Sequence, residues 1–319
     1  MKNILLIALI CCFLGVAIIK KAIYSPNKLE TETLVVVNKG ATSGMVANKL
    51  ASENVIKYPT IFKLFARIRG LDKNLKAGEY LFAPNMSMAE VMEQMNKGGV
   101  FYRKITLPEG LTTTQILQLI EDNEFLSGNI SLSPREGDLL PETYSFVRGD
   151  SKDSIIIQAQ KAMEKELENV WKERDKTVPI KKKGDLLVLA SIIEKETSVA
   201  SERGLVASVF VNRLRKRMRL QTDPTVIYAL TNGKNDLGRP LLRKDLNVDS
   251  PYNTYKYYGL PPKPICNPGI ESLKAASNPD VSQYLYFVAN GDGGHSFATS
   301  LNEHNKNVAN WKKQKRVRK

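Results

Sequence analysis

The chain has 319 residues, 42% of them apolar and 25% charged, proportions that support folded units and exclude a wholly disordered chain. Lys and Arg number 47 against 33 Asp and Glu, and the resulting +14 favours a polyanionic partner without choosing among nucleic acid, anionic lipid and an acidic wall polymer. Three cysteines, two of them in one apolar run, and two histidines without a CxxC pair build neither a disulfide framework nor a recognisable metal site, and no cofactor is expected.

The first element is the uncharged run ILLIALICCFLGVAII, Ile4 to Ile19, bracketed by Lys2 and by Lys20 and Lys21. As a helix it rises about 24 Å, near the lower limit for a span. A short transmembrane anchor is the expectation, with Lys20 and Lys21 snorkelling toward headgroups. A cleaved signal peptide is the rival, because Gly15 to Ala17 resembles a cleavage site, but no polar region precedes it. Basic residues are more numerous after the run than before it, so charge bias does not set the orientation.

A polar linker near Ser25 to Thr33 leads into TLVVVNKGATSGMVANKLASENVI, which reads as a strand, a Gly turn and an amphipathic helix carrying Val46 and Leu50. PTIFKLFARIRG reads as a second helix, GEYLF as a strand, and SMAEVMEQMNKGG as a helix ended by glycines. Strand, helix, helix, strand is the layout of a small carbohydrate-binding module. Seventy residues after the first strand-helix unit, RKITLPEGLTTTQILQLIEDNEFL repeats its pattern, with Gly40 on Gly110, Thr42 on Thr112, Val46 on Ile116 and Leu50 on Ile120.

SKDSIIIQAQKAMEKELENVWKERDK is a long helix with a charged face. In DLLVLASIIEKETS, Asp185 is expected to cap a largely apolar helix that carries Glu194 and Glu196 at its end. A further helix from about Ser201 sets Arg213 beside an apolar stripe of Val206, Val209 and Phe210. Asp223 before Pro224 reads as the cap of the next helix. The Pro- and Gly-rich loop DSPYNTYKYYGLPPKPICNPG carries four tyrosines, a composition more typical of a functional surface than of a connection. YLYFVAN is a strand, GDGG a turn, and the chain then returns into a terminal helix.

At 100° per residue, Glu194 and Glu196 point about 200° apart and cannot face one substrate together. Either both are last-turn acids, one paired with Lys195 or Arg203, or the apolar helix desolvates a carboxyl and raises its pKa toward that of a general acid. Asn253 could serve only its loop, His295 could be a site residue or a hydrogen-bonded strand residue, and the tyrosines could line a sugar cleft or fill a core.

The motifs LPEG, GDLLPETY, LASIIEKET, VASVFVNRL, LQTDPTVIY, SPYNTY, GLPPKPI, NPGIESLKAA, YLYFVANGDGGH and EHN occur in the order found in the YceG-like family, the endolytic murein transglycosylases. The chain resembles that family over nearly its whole length. Lys263 stands where the family commonly has glycine, and LLPETY lacks an aromatic often found there. The resemblance implies an α+β fold in three parts: a cytoplasmic tip and single transmembrane helix over residues 1–24, a LysM-like glycan-binding module over 32–100, and a mixed α/β catalytic domain over 101–319. It implies location at the cell inner membrane, held through residues 4–19, with the catalytic domain in the periplasm. The expected activity is cleavage of nascent glycan strands between MurNAc and GlcNAc, leaving 1,6-anhydroMurNAc ends.

The resemblance assigns the catalytic acid and base to Glu194. Gln221, Thr222, Asp223, Tyr252, Asn253, Thr254, Tyr255 and His295 are implied around the substrate. One carboxyl is enough for such a lyase: it protonates the leaving oxygen, then takes the proton of the C6 hydroxyl that closes on C1. The expected partners are peptidoglycan strands, and peptidoglycan synthases by association; no recognition motif points to nucleic acid. The alternative is a non-catalytic wall-binding scaffold in which Glu194 is structural.

Overall fold

The computed structural model describes residues 2–70, 76–234 and 236–317. The chain divides into two compact units, one formed by Met1–Lys104, Phe125–Ser127 and Ser145–Asp150, the other by Ile105–Glu124, Gly128–Tyr144 and Ser151–Lys319.

The first unit opens with α1 (Lys2–Tyr24), followed by β1 (Thr33–Val37), α2 (Ser43–Ser52), α3 (Pro59–Ile68), β2 (Gly78–Phe82) and α4 (Met88–Asn96). Strands β1 and β2 pair antiparallel with Val35 opposite Tyr80. Val35, Val37, Leu50, Phe62, Tyr80, Phe82 and Met95 make the core between this ribbon and the helices. Glu79 is buried beside Arg103, whose guanidinium donates to both carboxylate oxygens at 2.5 and 2.9 Å. Those bonds hold the Glu79 carboxyl below its ordinary pKa against the cost of burial.

The N-terminal helix is not the transmembrane anchor expected from the sequence: among the described residues no helix is long and apolar enough to cross a membrane. The uncharged run rises only about 24 Å, short of the roughly 30 Å of a bilayer's hydrocarbon. Its C-terminal end belongs to the folded unit instead. Ile23 is buried in the core, and α1 packs on α3 and α4.

The strands β3 (Arg103–Thr106) and β4 (Thr143–Phe146) pair as a second ribbon. In the second unit follow α5 (Thr113–Glu121), α6 (Lys152–Glu173), α7 (Lys183–Glu196), α8 (Arg203–Arg215), α9 (Asp223–Thr231) and α10 (Ile270–Ser277). The hairpin β5 (Tyr286–Ala289) with β6 (His295–Ala298) and the terminal helix α11 (Leu301–Val317) complete it. The repeated pattern has one local cause in both places. Thr42 and Thr112 each cap a helix through their hydroxyls, after Gly40 and Gly110 at φ of +82° and +74°. Val46, Leu50, Ile116 and Ile120 are buried on the equivalent turns.

Helix α7 is the axis of the second unit. Leu186 to Ile193 are all buried, so the helix is apolar around its whole circumference and is enclosed by α6, α8, α9 and α10. Small residues on α10, among them Ser272, Ala275 and Ala276, let that helix approach closely. Asp185 is not the cap expected of it. Lys182 occupies the cap position, and the Asp185 carboxylate accepts from the Lys181 N–H at 3.2 Å one turn in. The helix stops at Thr197, whose backbone is extended. Its last turn therefore carries Glu194 and Glu196 out of the core on opposite sides.

Candidate active site

The two glutamates meet different surroundings. The Glu194 side chain is 6% exposed, with Arg203 Nη2 at 3.7 Å, and its Oε2 accepts from the Gly269 N–H at 2.9 Å. The same guanidinium nitrogen lies 3.6 Å from Glu109. Burial, followed by the charge of Glu194, pushes the Glu109 carboxyl above its ordinary pKa. Gly110, at positive φ, lies against the Glu194 stem: a Cβ there would stand 3.6 Å from Glu194 Cγ. Glu194 is thus an acid paired with Arg203, one of the two alternatives its position in the sequence allowed.

Glu196 faces a cavity of about 380 Å³. Its pKa is raised to about 7, first by burial and further by the charge of Asp223. A hydrogen bond from the Thr222 hydroxyl to Oε1 pulls the other way, as do His295 and Arg213. A desolvated carboxyl of the kind anticipated for this helix is therefore present at Glu196.

The motif residues near Glu196 are positioned by a strained turn. Gln221 takes φ +51°, a left-handed conformation that a residue with a Cβ adopts at a cost. Its N–H donates to the Thr254 carbonyl at 3.2 Å, and the Thr222 N–H donates to the Thr254 hydroxyl at 3.1 Å. Thr222, not Asp223, is the cap residue of α9, and Asp223 is the first helical residue. The Asp223 side chain leaves the helix and accepts the Tyr255 hydroxyl at 2.6 Å on Oδ1. Gln221, Asp223 and Tyr255 all line the Glu196 cavity.

Asn253 is fully buried. Its amide donates to the carbonyls of Leu246 and Val248 at 2.9 and 2.8 Å and accepts from the Tyr255 N–H at 3.0 Å. It shapes the loop and does not reach the cavity. Tyr252 turns away onto Tyr228, ring centroids 4.9 Å apart. His295 hydrogen-bonds through Nδ1 to Glu202 at 2.7 Å, with its ring edge-on to Phe287 at 5.3 Å, behind the cavity wall.

Among the lining residues that the sequence reading did not single out as site members are Arg213, Tyr286 and His304. Arg213 is buried and donates to the carbonyls of Leu285 and Leu220 at 2.6 and 2.7 Å, tying α8 to the hairpin. Its guanidinium lies 5.2 Å from the Tyr286 ring centroid, and Tyr286 stacks on His304 at 5.2 Å. Burial and the Arg213 charge lower the His304 pKa. An arginine on the apolar stripe of α8 was the available signal for the first; the stack has none, because it joins a hairpin to the terminal helix.

A model of the YceG-like family matches residues 35–310. An endolytic murein transglycosylase of Bacillus subtilis is 34% identical, the alignment covering 92% of this chain and 89% of the relative. An endolytic murein transglycosylase of Streptococcus pneumoniae is 29% identical over 86% of this chain, which spans 57% of that longer protein. The crystal structure of a yceG-like protein of Listeria monocytogenes superposes with a TM-score of 0.54 at 35% identity, over 86% of this chain and 98% of that one. With its ordered motifs and this coverage, the chain belongs to the YceG-like family.

Proposed function

We propose that this protein is an endolytic murein transglycosylase that cuts glycan strands of peptidoglycan between MurNAc and GlcNAc without water, with Glu196 rather than Glu194 as its general acid. The observation that carries the assignment is a carboxyl with its pKa at about 7, facing a cavity and held by the Thr222 hydroxyl. Such a group is half protonated near neutral pH, where a general acid works best. Protonated Glu196 gives its proton to the glycosidic oxygen as the bond to C1 breaks. The C6 hydroxyl of the same MurNAc then closes on C1, and the product end is a 1,6-anhydro sugar.

Gln221, Asp223 and Tyr255 contact the sugars flanking the bond, while Thr222, Asn253 and Thr254 hold the turn that presents them. Residues 32–100 act as a LysM-like module that retains the strand. The catalytic unit works outside the cytoplasm, where the polymer is assembled, and the synthases extending the same strands are its candidate partners. Mass spectrometry of products released from purified sacculi tests the reading. Ends lighter by one water than reducing MurNAc are expected, and predominantly reducing ends would make the enzyme a hydrolase.

The pH dependence has a definite sign. The acid must be protonated, so the rate is expected to fall about tenfold per unit as pH rises above about 7. The same raised pKa gives a stability contribution present below the unfolded value and lost as pH rises through about 7. A rate profile still flat at pH 9 would contradict the assignment.

A further inference from the structure

The reaction needs a group to accept the C6 hydroxyl proton, and we infer that Asp223 is that base, its carboxylate held for the task by Tyr255. The inference rests on the reading of this cavity as the lyase site and divides between two residues the work that one glutamate could do alone.

Asp223 sits in the first turn of α9 without capping it. Thr222 is the cap residue of α9, so Asp223 does not close the helix. Among the described residues no Lys, Arg or His forms an ion pair with it. Among the described residues Asp223 has one side-chain hydrogen bond, from Tyr255 to Oδ1 at 2.6 Å, and Oδ2 has no partner. The side chain is exposed on the wall that also carries Glu196.

The two carboxyls are close enough for the Asp223 charge to oppose ionisation of Glu196. That repulsion adds to burial in keeping the acid protonated near neutral pH. Glu196, once ionised, is in contact with the Thr222 hydroxyl on Oε1 and stands near the Arg213 charge. Asp223 offers an oxygen with neither encumbrance.

The step balances without water. Glu196 transfers its proton to O4 of the departing GlcNAc, and the C1–O4 electron pair leaves with that oxygen. A lone pair of O6 forms the C1–O6 bond, and the O6 proton passes to the Asp223 carboxylate. The leaving and entering oxygens lie on the same face of the sugar, which suits an acid and a base on one wall. Before proton transfer, the Asp223 charge also stabilises the positive charge growing at C1. Between turnovers the proton returns from Asp223 to Glu196 through solvent.

The test compares Asp223→Asn, Tyr255→Phe and Glu196→Gln with the wild type on a glycan of defined length. Asp223→Asn is expected to lower kcat by about 10²- to 10³-fold with KM changed less than about threefold, and to keep anhydro ends. Its kcat/KM profile should lose the acid limb, and its alkaline limb should move to lower pH because the charge opposing Glu196 ionisation is gone. Tyr255→Phe, which keeps the carboxylate but frees it, should lower kcat about tenfold and keep anhydro ends.

A kcat for folded Asp223→Asn within threefold of wild type, or an acid limb that survives unchanged, overturns the inference. If Asp223→Asn does not fold, a Tyr255→Phe kcat equal to that of the wild type overturns it. Glu196→Gln separates the two levels: with that variant inactive, a normal Asp223→Asn sinks only the base, whereas an active Glu196→Gln sinks the acid assignment beneath it.

Discussion

Glu196→Gln is expected to lower the rate of glycan cleavage about 10³-fold while leaving the fold unchanged. The amide has nearly the shape of the carboxyl and can still accept the Thr222 hydroxyl, so the last turn of α7 keeps its contact with the start of α9. It cannot give up a proton at neutral pH, and protonation of the leaving oxygen is lost. Glu194→Gln should cost less than about tenfold, since that side chain is taken up by the Gly269 N–H and Arg203. Initial rates on a defined glycan, with thermal unfolding to verify each fold, decide between the two. An inactive Glu194→Gln beside a fully active Glu196→Gln would return the acid to position 194.

The largest stability effect is expected at Asn267, where replacement by Ala should cost about 3 kcal/mol. This side chain is fully buried and joins three stretches distant in sequence. Its carbonyl oxygen accepts from the Leu139 N–H at 3.0 Å, and its amide donates to Leu111 O and Thr113 Oγ1 at 3.1 Å each and to Glu136 at 3.3 Å. Glu136 is itself half-buried, and its pKa is pushed up by desolvation. Alanine would strand the Leu139 N–H and remove a donor from a carboxyl that has little access to water. The change should appear as a lower urea midpoint at unchanged slope. A loss below about 1 kcal/mol would mean that solvent or a neighbour replaces these bonds.

Much of the organisation of both units was legible locally. The apolar run of α7, the capped repeats at Thr42 and Thr112, and the hairpin around GDGG each arise from residues within a few positions of one another. Gly291 and Gly293, at φ of +90° and +92°, supply a turn that side-chain-bearing residues resist. The 100° period also showed correctly that Glu194 and Glu196 leave α7 on different sides.

What the sequence could not decide was which side is the cleft. That depends on Arg203 and Gly269 meeting Glu194, and on Thr222 meeting Glu196 from 26 positions along the chain. Asp223 presented the same ambiguity, since an aspartate before proline has the pattern of a cap; only the meeting with Tyr255 shows the side chain committed to the cavity. The N-terminal run was misjudged because hydropathy reports the absence of charge and not the partner: α1 carries Ile23 into a protein core, and among the described residues no helix is long and apolar enough to cross a membrane. Helix periodicity and capping are set by interactions across three or four residues, so the sequence by itself determined them. Desolvation of a carboxyl, and hence its pKa of about 7, is set by everything packed around it, and the tertiary structure alone decided that it falls on Glu196.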